Sequence, residues 1–359
     1  MAVTNLNASI KRKESNYSYK EEAKKKSGAL LFIFLLCCIS FFADIILGPA
    51  WLSIGETFQA LFHLGNVEST TMIIVWDYRL PTALMAIGVG ASLSFAGAVM
   101  QTILNNPLAS PYTLGVSAGA GFGAAMAIVT GASALSFVGI YTVPLFSFVF
   151  AGITCFSIYG FGKYTKMKPQ TMILAGIGLS FLFQALQSMM QYMATPEESQ
   201  NIVFWLFGSL SRSNWFTVGL IFLILALVIP LTLKDAWKLT ALKLGDEKAT
   251  GLGVDVEKLR IKCFALISII TGIAVCFVGT IGFIGLVGPH MARLLIGEDQ
   301  RFFIPLSSLC GALVLSVASV LSKLIVPGFI FPIGIITSLI GVPFFFSLVL
   351  SKRTRLIND

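Results

Sequence analysis

Uncharged apolar stretches of roughly 18 or more residues recur along this chain, each long enough to cross a hydrocarbon layer about 30 Å thick as a helix. The other spanning architecture, a membrane barrel, would need alternating polarity over segments of about 10 residues. The sequence does not show that alternation. A helical bundle remains, because only a helix satisfies every backbone polar group within its own segment in lipid. Breaks at Pro, Gly and charge clusters predict spans near 29–48, 81–104, 112–130, 139–162, 171–194, 215–233, 259–280, 283–297, 303–326 and 331–350. The fold class is therefore an all-α polytopic membrane protein with about ten transmembrane helices. The stretch 283–297 is short and interrupted by Gly288-Pro289, which suits a half-helix lying against protein. Composition agrees: of 359 residues, 56% are hydrophobic and 12% charged, and the mean hydropathy is +0.86.

Charge sets the expected orientation. Residues 1–27 are polar and basic, with Lys11, Arg12, Lys13, Lys20, Lys24, Lys25 and Lys26 ahead of the first apolar run. That run is long for a signal peptide, and no A-x-A-like site follows it. The chain divides into a cytoplasmic tail, 1–27, and a transmembrane domain, 28–359. With the N-terminus inside, all but three of the 25 Lys and Arg fall on inner segments, the exceptions being Arg79, Arg212 and Lys323. This bias is the positive-inside pattern, with the C-terminus also inside. It accounts for the net charge of +8 through anionic lipid headgroups, without nucleic acid.

Nothing in the sequence assembles into an enzyme site. The six cysteines lie in apolar runs with no CxxC pair, and His63 and His290 stand far apart. They read as packing residues, with no metal site and no cofactor bound by this chain. No GxxxxGK[ST] loop occurs, so nucleotide hydrolysis belongs to another chain. Asp44 and Lys323 lie near span ends, and no span has a mid-bilayer Asp, Glu or Arg, so the titratable relay of a proton-driven carrier is missing. Sodium coupling through hydroxyls and carbonyls remains open.

Two polar features interrupt the apolar pattern. In LSFLFQALQSMMQYM, residues 179–193, Ser180, Gln184, Gln187 and Gln191 step by four, three and four, which places them on one helix face. Such amides serve either as interhelical hydrogen-bonding groups or as the lining of a water-accessible path for a hydrophilic solute. The inner loop 240–257, TALKLGDEKATGLGVDVE, is far longer than the ~2–8 residues a helix connection needs, and its glycines suggest two short helices joined by a turn. That length suits a docking surface. The glycine-rich runs 115–125 and 279–288 suit close helix contacts better than a dinucleotide loop.

Several stretches in order resemble one family, the FecCD-type permease subunits of binding-protein-dependent ABC importers for ferric siderophores, haem and cobalamin. They are DYRLPTALMAIGVGASLSFAGAVMQTILNNPLASPYTLGVSAGAG (77–121), MILAGIGLSFLFQALQSMMQYM (172–193), VFWLFGSLS (203–211), LGDEKATGLGV (244–254), GTIGFIGLVGPHMARLLIGEDQR (279–301) and PIGIITSLIGVPFFF (332–346). The resemblance implies a permease that pairs with a second, identical or paralogous permease around a central pathway. Two cytoplasmic ATPase subunits holding ATP and Mg would sit below, and an extracytoplasmic solute-binding protein above.

Site residues follow from the same resemblance. The coupling helices would carry Leu244, Gly245, Asp246, Glu247, Ala249, Gly251, Leu252 and Gly253, although Thr250 stands where relatives often have Arg. Asn106 and Leu108 would narrow the inner mouth, with Lys168 and Pro169 at a second constriction. The stripe Ser180, Gln184, Gln187 and Gln191 would face the cavity between subunits. Arg79 and Lys323 match positions that meet acidic side chains of the binding protein, and where some relatives carry a second Arg this chain has Thr82, which implies either weaker docking or another group in its place, with Arg212 the candidate. The implied function is ATP-driven import of a ferric siderophore by alternating access in a bacterial cytoplasmic membrane. Haem and cobalamin are the alternative cargoes, and an ion-coupled secondary transporter the alternative class.

Overall fold

The computed structural model describes the backbone of residues 2–65, 67–131, 139–326 and 328–358, with side chains from 21 to 346 within those stretches. The regular elements among the described residues are all helical. In order they are α1 (Ala2–Ile46), α2 (Ile54–Phe62), α3 (Ser69–Ile73), a π-helical turn (Ile74–Arg79), α4 (Leu80–Ile103), α5 (Val116–Val129), α6 (Thr142–Tyr164), α7 (Pro169–Met193) and α8 (Pro196–Leu206). Then come α9 (Trp215–Leu233), α10 (Ala236–Leu242), α11 (Asp246–Gly251), α12 (Val256–Val278), α13 (Ile284–Ile296), α14 (Gln300–Leu324) and α15 (Ile333–Asn358).

Seven helices are long and apolar enough to cross a membrane, and α5, α13 and the first part of α15 are apolar but shorter. These ten fall where the sequence places spans. At 1.5 Å per residue, the 13 residues of α13 cover only about 20 Å, and Pro289 lies inside it. The expected span 112–130 shortens to Val116–Val129 because residues 110–115 close a turn. The Thr113 hydroxyl accepts from the Ser110 amide at 2.9 Å, and Gly115 takes a φ of +80°. The polar stretch expected as a tail continues as helix from Ala2, with the span itself at Glu21–Ile46.

Helix α4 is the axis of the bundle. In its span window 83% of residues are buried, against 17% in α7, which lies at the periphery. Lipid offers no hydrophobic drive between helices, so close backbone packing must supply the attraction. Small residues permit it. A methyl group on Gly97 would overlap the Gly285 carbonyl of α13, and one on Gly90 would overlap the Gly311 carbonyl of α14. The run at 115–125 acts likewise, with Gly123 seated against the Phe146 carbonyl of α6.

Polar residues gather at two ends. At one, Lys26 of α1 lies 3.7 Å from Asp299 and Lys243 lies 3.3 Å from Glu298. At the other, Arg79 reaches the end of α1, and Arg212 and Lys323 line one cavity. The three exceptional basic residues are thus segregated from the rest, as the charge pattern predicts. Two helices at this second end, α2 and α8, extend beyond the expected spans. Both open with capping boxes, Ser53 with Glu56 and Thr195 with Glu198.

Candidate translocation and coupling site

Of the two short helices expected in the loop 240–257, α11 lies inside it, whereas α10 (Ala236–Leu242) starts before it and reaches only into its first residues. Gly245 (φ +99°) sets the start of α11 and Gly253 (φ +82°) its exit, conformations that residues with a Cβ rarely adopt. Ala249 faces inward and is buried, whereas Leu244 and Leu252 are 57% and 61% exposed, with Glu247 and Gly251 beside them at the surface. The two exposed leucines give this polar loop outside the spans an apolar patch at its surface.

Behind this patch lies a residue that sequence reasoning treated only as one more inner positive charge. Arg260, at the start of α12, is 2% exposed. Its Nη1 and Nη2 donate to the Asp246 carboxylate at 2.7 and 2.8 Å. Its Nε donates to the Ile103 carbonyl at 2.8 Å, and Nη1 also reaches the Met167 carbonyl at 3.4 Å. A second network is more exposed. Lys243 reaches Asn105 Oδ1 at 3.4 Å and Glu298 at 3.3 Å, and Arg293 bridges Glu298 at 2.7 Å and Gln101 at 2.9 Å. Burial raises the Glu298 carboxyl, but the Lys243 and Arg293 charges outweigh it and hold the group below the usual carboxylate range.

These contacts bring together the two inner segments singled out in the sequence. Ile103 ends α4 just before Asn105, which takes a left-handed φ of +45°. Asn106 Oδ1 then accepts the Leu108 amide at 2.9 Å, leaving the Leu108 side chain 53% exposed. Met167 is buried at the end of a tight turn, with exposed Lys168 as the N-cap of α7 and Pro169 as its first residue.

The stripe of α7 runs along the flank nearest α5. Ser180 donates to the Gly176 carbonyl at 2.8 Å and sits where a Cβ on Gly115 would come within 2.5 Å of its Oγ. Gln187 lies against Gly121 in the same way. Gln184 is exposed and Gln187 and Gln191 partly so. Among the described residues, none of the three amides has a hydrogen-bond partner. Between the described helices they therefore form no interhelical hydrogen bonds. Their donors and acceptors remain free for water, a solute or a second chain.

At the opposite end, the expected docking residues divide. Arg79 is 5% exposed, its Nη1 donating to the Ile45 and Ile46 carbonyls at 2.9 and 2.7 Å and its Nη2 to Ala50 at 2.5 Å. Lys323 is 7% exposed and lies 2.7 Å from the fully buried Asp44, which also accepts from Ser319 Oγ at 2.9 Å. Both cationic groups are turned inward within this chain, and the buried Arg79 Nε has no hydrogen-bond partner among the described residues. A cation at a helix end in lipid lowers its energy by finding carbonyls or a counter-charge, and here each found one within the chain. Arg212 is exposed. It lines a cavity of about 390 Å³ with Ser209, Ser211, Ser322 and Lys323.

The FecCD transport family matches this sequence over residues 35–351, from within α1 to within α15. The chain belongs to the FecCD transport family. Among FecCD relatives, the iron(3+)-hydroxamate import system permease of Bacillus subtilis is 35% identical over 325 residues, covering 89% of this chain and 82% of the relative. The Fe(3+)-citrate import system permease of the same organism is also 35% identical, covering 92% and 98%. A solved transporter described as of the metal-chelate ABC type, in an inward-facing conformation, superposes with a TM-score of 0.79 at 31% identity, covering 90% of this chain and 98% of that one. The FecCD chain is accordingly a multi-pass membrane permease, a transport component. What sequence reasoning missed at its site was Arg260 and the Asp44–Lys323 pair. The only signal was the presence of charge at span boundaries, and that did not name partners.

Proposed function

We propose that this chain is the permease subunit of an ATP-driven importer that moves a ferric siderophore across a bacterial cytoplasmic membrane by alternating access. The observation that carries the reading is the row of unpartnered amides, Gln184, Gln187 and Gln191, on the open flank of a FecCD-family helix. Neutral amides bind a bulky polar chelate without fixing a charge, whereas a bare metal ion calls for clustered carboxylates. The hydroxamate importer of Bacillus subtilis supports an iron chelate as cargo. In this reading a second permease completes the pathway, and Asn106, Leu108, Lys168 and Pro169 form its inner constriction, with both termini cytoplasmic.

Two ATPase subunits, holding ATP and Mg²⁺, dock on α10–α11 through Leu244, Leu252 and the surface from Gly245 to Gly253. A solute-binding protein docks at the opposite end, where Arg212 is the exposed cation. An exposed ion pair contributes about 0–1 kcal/mol, so Arg212 steers encounter more than it holds the complex.

The test is reconstitution into liposomes with a cognate ATPase and binding protein, offering a radiolabelled ferric hydroxamate, haem or cobalamin. Uptake of the ferric hydroxamate only with all components and ATP is expected. Uptake by the permease alone in ATP-free liposomes under an ion gradient overturns the ATP-driven reading, and preference for haem or cobalamin overturns the cargo.

A further inference from the structure

We propose that Arg260 is the positioning residue that couples the α10–α11 unit to both segments of the inner mouth, so that a displacement of α11 moves residues 103–108 and 167–169 together. The inference deepens the permease reading above and rests on it.

One buried guanidinium joins three parts of the chain. Asp246, the first residue of α11, accepts two parallel bonds from it. The Ile103 carbonyl, 157 residues away in sequence, accepts a third, and the Met167 carbonyl, 93 residues away, a fourth. Ile103 is the last residue of α4, and its carbonyl belongs to the group that a helix leaves without an internal partner. Shifting α11 while the mouth stays still would strip bonds from a cation that is 2% exposed and cannot draw on water instead. The segments therefore move as one or break at high cost.

The geometry also separates this link from its neighbour. The Lys243–Glu298 pair spans the same unit, but its side chains are 20% and 40% exposed, so water can replace either partner. The Asp246 side chain is 52% exposed on its outer side, next to the docking leucines, while the fork that grips it is buried. One face of the link thus meets a partner and the other meets the gate. A planar five-donor fork fits this task, and a lysine cannot reproduce its parallel bonds.

The experiment uses the full reconstituted complex and reads iron chelate imported per ATP hydrolysed for Arg260→Gln, Arg260→Lys and Asp246→Asn. Arg260→Gln should keep its ATPase bound and hydrolysing within about twofold of the parent rate, while import per ATP falls roughly tenfold or more. Arg260→Lys, which keeps the charge but loses the fork, should fall between the two. Asp246→Asn removes the same link from its other side but also alters the ATPase docking surface, so import and hydrolysis should both fall, import the further. If Arg260→Gln fails to accumulate, Arg260→Lys decides, since it keeps a cation beside the Asp246 carboxylate and leaves the docking surface unchanged. Unchanged import per ATP in the assembled variants, or import and hydrolysis lost in proportion, overturns the coupling role. Absence of iron-chelate import by the unmodified complex overturns the permease reading instead.

Discussion

Asp44 and Lys323 form the buried ion pair on which a substitution should weigh most. Removing one partner leaves the other charge uncompensated, at a cost of about 3–5 kcal/mol, whereas replacing both by apolar groups of similar size is often neutral or stabilising. Asp44→Ala and Lys323→Met should each lower the thermal unfolding temperature of the detergent-solubilised chain, and the double variant should recover most of the loss. A double variant as damaged as the two singles combined would show that the pair is not what holds these helices. The pairing was invisible in the sequence because its members stand 279 residues apart. The rarity of each charge was legible, and Arg212 and Lys323 line one cavity at a single end of the molecule. What rarity could not convey was that Arg79 and Lys323 would turn inward, toward the α1 carbonyls and the Asp44 carboxylate.

Elements were more legible than contacts. The apolar runs located all ten hydrophobic helices, and the glycines of 240–257 located α11, because chain length in lipid and positive φ are local demands. Helices α2 and α8 carried a local signal too, in Ser53 with Glu56 and Thr195 with Glu198, but their polarity masked it. How close two helices approach is not local. Gly97 faces the Gly285 backbone, whereas Gly152 has no atom within 4 Å of a would-be Cβ. Gly97→Ala should therefore destabilise the α4–α13 contact by about 1–3 kcal/mol, as overpacking does, while Gly152→Ala should be tolerated. The monodisperse fraction surviving a heat challenge in detergent measures this. Equal survival of the two variants would rule out the close approach as a constraint.

At the scale of the whole molecule, an axial helix, a peripheral striped helix and an inner two-helix unit make a chain whose open surfaces differ in chemistry. Leu174 and Gln184 lie on the same helix and both are exposed. If the amide flank borders water, a charged thiol reagent should modify Gln184→Cys in native membranes roughly tenfold faster than Leu174→Cys, which lies on the apolar face, in a background freed of native cysteines. Equal rates would place the stripe in lipid or in a dry contact. Order and number of spans were readable because each is set by its own segment. The surroundings of the stripe were not, since they depend on which neighbours a single chain leaves absent.

The link between α1 and α14 has a consequence for biogenesis. Asp44 is synthesised 279 residues ahead of Lys323. At 5–20 residues per second, that is a wait of roughly 15 to 55 s. Throughout it the nascent first helix carries a carboxylate whose counter-ion has not been made. Its place at the helix end, within reach of interfacial water, lets the ribosome proceed, and arrival of the penultimate hydrophobic helix is what finally dries it.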